Sequence, residues 1–122
     1  MTASLSNKQA KLIEELIYSL DLLLSNNPSK KKDALYRSEN LLMMLEEESG
    51  FLSDKDLYVL EDEYHGIDVC FGLAKEPTYT FNSEQTLRIH SRKERMKNIL
   101  KKYLSLPVQS EGSYAWPFEE YK

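Results

Sequence analysis

A single cysteine, Cys70, stands in 122 residues. It excludes an intramolecular disulfide and a thiolate metal cluster, and it fits a reducing compartment. Apolar runs are short: Leu22-Leu23-Leu24 and Leu41-Leu42-Met43-Met44-Leu45 fall far below the ~20 residues that cross a bilayer. Met1 to Ala10 has neither a basic start with an apolar stretch nor a small-residue cleavage pattern, so the expected location is cytoplasmic, away from membranes. No Gly-rich phosphate loop, zinc-spaced Cys/His set or nucleophile elbow occurs. His65 and Cys70 lie five positions apart, roughly 140° around a helix, and do not share a face. No catalytic residue, metal ligand or cofactor is therefore expected, and the sequence reads as a non-enzymatic protein.

The segment from Glu39 to Asp68 lacks positive charge almost entirely, setting ten carboxylates against Lys55 alone. From Arg88 to Lys102 the sign reverses, with seven basic residues against Glu94. The formal net charge of −4 conceals two polarised blocks, and such fields steer partners more than they determine a fold. Hydrophobic content of 41% is too high for a chain disordered throughout. The length suits one domain with a real core.

Leu12, Ile13, Leu16, Ile17, Leu20, Leu23 and Leu24 recur at helical spacing, with Glu14, Glu15, Ser19 and Asp21 read as the outward face. Ser6 with Gln9 makes a capping box behind Leu5, and Asn26-Asn27-Pro28 closes the helix. A second helix is expected from near Ser29 to Ser49-Gly50, with Ala34, Leu35, Ser38, Leu41, Leu42 and Leu45 inward. A third opens at Ser53 with Asp56 and carries Leu57, Leu60, Tyr64, Ile67 and Phe71 along one seam. Gly66 inside it implies a close crossing or a bend. Thr78 to Phe81 reads as an extended connector. A fourth element runs from Asn82 or Ser83 to Ser105, and a second capping signature at Ser91 and Glu94 suggests a break at His90-Ser91. Met43, Met44 and Met96 are read as core packing.

The expected architecture is all-α: an antiparallel bundle of four to five helices over 1–106, followed over 107–122 by an irregular extension carrying Tyr114, Trp116, Phe118 and Tyr121. Clustered carboxylates raise the local concentration of a basic partner and speed its docking. The expected partner-binding set is Glu47, Glu48, Asp54, Asp56, Glu61, Asp62 and Glu63, with Tyr58, Tyr64 and Trp116 as anchors. The concrete form of this reading is an immunity protein or antitoxin covering the basic site of a nuclease toxin. Two other classes compete with it. Arg92, Lys93, Arg95 and Lys97 suit a small nucleic-acid-binding regulator that contacts phosphates, and the aromatic tail suits an adaptor subunit of a larger assembly.

Overall fold

The computed structural model describes residues 5–48, 51–74 and 79–107. They form four helices: α1 (Asn7–Asp21), α2 (Pro28–Glu47), α3 (Asp54–Leu73) and α4 (Ser83–Leu104). Each start is set by a side chain that accepts from otherwise unpaired N–H groups of the first turn. Ser6 and Gln9 close the expected reciprocal box, and Asn82 and Gln85 close another at the head of α4. Asn27 accepts from Ser29 and Lys30 ahead of Pro28, and Ser53 accepts from Asp56.

The helices contact one another in a ring, α1 to α2 to α3 to α4 and back to α1. Every neighbouring pair is antiparallel. Lys8 meets Glu48 while Ser19 meets Ser38, so α1 and α2 run oppositely. Glu63 meets Arg95 while Asp56 meets Lys102, which orders α3 against α4. Asp21 meets Lys97, and the Leu5 N–H donates to the Pro107 carbonyl at 2.8 Å, fixing α1 against α4. The centre is filled by fully buried side chains from all four helices, among them Leu16, Leu20, Leu45, Leu60, Ile67, Met96 and Leu100. Truncating one of these leucines to alanine costs about 2–5 kcal/mol in a packed interior.

Three sequence expectations are corrected. First, α4 is continuous through His90-Ser91. Ile89 and Met96 are both fully buried, and the intervening turn is held by charge: Arg92 reaches Glu63 on α3, and Lys93 reaches Asp21 at the end of α1. A polar turn in the apolar stripe here marks ion pairs with neighbouring helices. Second, Glu15 and Ser19 face α2 instead of solvent, 2% and 0% exposed. Glu15 lies 3.6 Å from Arg37, and the Ser19 hydroxyl donates to the Ala34 carbonyl and bonds Ser38. Burial of Ser19 is offset by its two hydrogen bonds, and burial of the Glu15 carboxylate by the charges of Arg37 and of Lys11 at 3.7 Å. Third, Met43 is exposed, whereas Met44 is half-buried and Met96 belongs to the core.

Gly66 marks a close approach: a Cβ built there would overlap the Arg92 guanidinium, which lies across the α3 backbone toward Glu63. Before α4, Tyr79 adopts a left-handed backbone with φ 46°, a conformation that costs a non-glycine residue about 1–2 kcal/mol. It is held by its ring on Phe71, centroids 5.6 Å apart, and by the Lys31 ammonium on its carbonyl. The aromatic extension from 108 onward, Trp116 included, lies outside the described residues. Among the described residues no helix is long and apolar enough to cross a membrane.

Candidate partner-binding face

The ten carboxylates between Glu39 and Asp68 divide by where the helices turn them. Three are paired with cations of other helices. Glu48 pairs with Lys8 at 3.1 Å, Asp56 accepts from Lys102 and from the Tyr103 hydroxyl, and Glu63 accepts from Arg92 and Arg95. The Lys102 ammonium and the Tyr103 hydroxyl hold the Asp56 carboxyl below its ordinary range. The other seven, Glu39, Glu46, Glu47, Asp54, Glu61, Asp62 and Asp68, are exposed on α2 and α3. None has a cation within salt-bridge distance among the described residues. The run Glu61-Asp62-Glu63 shows the division within three residues: Glu63 turns to α4, Glu61 to α2, and Asp62 to solvent.

The aromatic positions divide as well. Tyr58 is 69% exposed on α3. Tyr64 is buried, with its hydroxyl donating to the Leu35 carbonyl at 2.8 Å. Burial, reinforced by Glu39 and Asp68 nearby, pushes its phenol well above the ordinary value, so it stays neutral and structural. Tyr64, Glu63, Asp56 and Glu48 thus serve the bundle's own contacts, which leaves Glu47, Asp54, Tyr58, Glu61 and Asp62 of the expected set exposed on α2 and α3.

Six of the seven basic residues of α4 are held in ion pairs, and Lys101 is exposed. Arg92 and Arg95 share Glu63, Lys93 and Lys97 share Asp21, Lys102 pairs with Asp56, and Arg88 pairs with Glu84. Lys93 and Lys97 lie mostly covered, 11% and 13% exposed at the side chain. The Asp21 carboxylate, hydrogen-bonded to the Lys97 ammonium, raises that ammonium's pKa. The four residues named for phosphate contact are therefore already in ion pairs.

Between α2 and α3 lies an open groove of about 340 Å³, lined by Glu39, Leu42, Met43, Glu46, Glu61, Tyr64, His65 and Asp68. Its volume sits at the low end of the ~300–1,000 Å³ of small-molecule pockets, which enclose their ligands. An open groove of this size suits side chains of a macromolecule better. Desolvation and the facing Glu46 carboxyl raise the Glu61 carboxyl above its ordinary range, so the two acids crowd each other. His65 is exposed at the groove while Cys70 is buried, which agrees with their lying on different faces. Among the described residues no three His, Cys, Asp or Glu side chains converge as metal ligands.

The groove residues Glu39, Met43, Glu46, His65 and Asp68 were not singled out as binding residues by sequence reasoning. A signal was there: Glu39 and Glu46, like Glu61 and Asp68, are seven apart, which puts each pair on one helical face. Compared with known protein families, curated proteins and solved structures, the chain gives no significant match.

Proposed function

We propose that this protein is a non-enzymatic inhibitor that binds a basic protein partner through the α2–α3 face, as an immunity protein or antitoxin does when it covers the basic site of a nuclease toxin. One observation carries the reading. Four exposed carboxylates without cation partners among the described residues, Glu39, Glu46, Glu61 and Asp68, line one groove with exposed Met43, and Glu47, Asp54, Asp62, Tyr36 and Tyr58 are exposed on the same two helices. Most cations of the basic helix pair elsewhere, so among the described residues this acidity is not cancelled. Nucleases hold phosphates with Lys and Arg, and a carboxylate-rich surface occupies such a site by substituting for substrate charge. Exposed tyrosines supply apolar contact area that charge alone lacks.

The dimensions suit the task. Two 20-residue helices side by side present a strip about 30 Å by about 20 Å, comparable with the ~800 Å² that each partner hides in a standard interface.

The test is affinity capture from the source cell's lysate, treated with nuclease, using the wild-type chain and a Glu61→Lys/Asp62→Lys variant as baits. The expected result is a basic protein that the wild type retains at low salt and the variant does not. Equal retention by both baits, or capture of nucleic acid alone, would overturn the reading.

A further inference from the structure

The α2–α3 groove has a repeat that specifies more than charge. Each helix contributes residues at i, i+3, i+4 and i+7: Glu39, Leu42, Met43 and Glu46 from α2, and Glu61, Tyr64, His65 and Asp68 from α3. Because the helices are antiparallel, the acids meet in two pairs. Glu46 faces Glu61 at one end, close enough to share a hydrogen bond. Glu39 and Asp68 line the other end, where both charges act on Tyr64. Seven residues at 1.5 Å per residue set the two pairs about 10.5 Å apart. Between them lie buried Leu42, Met43 at 53% exposed, Tyr64 and exposed His65, with Met43 as the open apolar contact.

Deepening the reading of this face as a site for a basic partner, we propose that the groove takes an α-helical segment of that partner, with two Lys or Arg residues two turns apart and an apolar side chain between them. The spacing selects the conformation. A helix repeats one face every two turns at about 10.5 Å, matching the distance between the acid pairs. A strand offers same-face side chains about 6.7 Å or about 13 Å apart and matches neither. Each cation then meets two carboxylates, one of the pairs being Glu46 and Glu61, which crowd each other, and the intervening apolar residue rests on Met43, whose unbranched thioether adapts to varied shapes. A helix laid between two antiparallel helices is also the familiar helix-in-groove mode, with anchors at i, i+3 or i+4, and i+7.

Two alanine-rich helical peptides of identical composition test this. One carries Arg at i and i+7 with Leu at i+4; the other moves the second Arg to i+5, onto another face. Fluorescence anisotropy with the full chain at low salt should show the first binding at least about tenfold tighter. Glu46→Gln/Glu61→Gln should erase that preference, and the exposed control Glu14→Gln should retain it. Both glutamine substitutions remove a like-charge contact, so circular dichroism should stay native. Equal binding of the two peptides, or a preference indifferent to Glu46→Gln/Glu61→Gln, overturns the helical register. If the lysate capture still yields a basic protein, such a result removes the spacing rule alone and leaves the acidic-face reading standing.

Discussion

Replacing Gly66 by alanine should have opposite effects on stability depending on whether Arg92 is present. In an exposed or half-exposed helix, Gly→Ala contributes about 1 kcal/mol through backbone entropy. At Gly66 the new Cβ occupies the space of the Arg92 guanidinium, and the side chain must leave Glu63. A hydrogen bond to a charged group contributes about 1.5–3 kcal/mol. The low end applies because the Arg92–Glu63 contact is 3.4 Å long and Arg92 is 27% exposed, while Glu63 keeps Arg95. Gly66→Ala alone should therefore destabilise by about 0.5 kcal/mol, the difference of those two contributions. In an Arg92→Ala background nothing is displaced, and the same substitution should stabilise by about 1 kcal/mol. The coupling of about 1.5 kcal/mol exceeds the few tenths typical of independent sites. Urea unfolding of the four proteins at pH 7, with unchanged m, measures it. A Gly66→Ala effect of the same sign and size in both backgrounds would refute the account of why a glycine lies in α3.

Other consequences can be checked by the same unfolding assay. Arg37→Met strips Glu15 of its nearest interhelical cation and should cost about 3 kcal/mol, and adding Glu15→Met should recover most of the loss. Asp56 has a folded pKa below its unfolded 3.8, so its stabilisation is complete above that value and disappears as pH falls through the folded pKa. Asp56→Asn should therefore be less stable than wild type at pH 7, with the gap closing below pH 3.8. Glu61 behaves oppositely: its folded pKa lies above 4.5, so its ionisation lowers stability as pH rises through the window above 4.5. Glu61→Gln should be more stable than wild type at pH 7 by about 0.3 kcal/mol, the scale of screened surface charges, with no gain at pH 4.

The helix starts were legible because capping is local: Ser6 with Gln9 and Ser53 with Asp56 satisfy backbone N–H groups within one turn, and the structure reproduces both. The apolar seams were legible for the same reason, since 3.6-residue periodicity belongs to one helix at a time. What failed depended on two helices at once. Glu15 and Ser19 look like solvent-facing residues until Arg37 and Ser38 stand opposite them. Ser91 and Glu94 imitate a helix start, yet Arg92 and Lys93 anchor that turn to Glu63 and Asp21, residues 29 and 72 positions earlier. The acidic block was visible as composition, but sorting it into inward Glu63 and outward Asp62 required the position of α4. The groove's paired acids required the antiparallel register of α2 and α3.

The α2–α3 carboxylates are proposed to steer and dock a basic protein. The most direct test is the association rate constant of the captured partner, measured across ionic strength for the wild type and for Glu61→Lys/Asp62→Lys. The wild-type rate should fall as salt rises, and the variant rate should be roughly tenfold or more lower at low salt with a flattened salt dependence, the circular dichroism being unchanged. Identical rates and identical salt slopes for the two proteins would contradict the proposal.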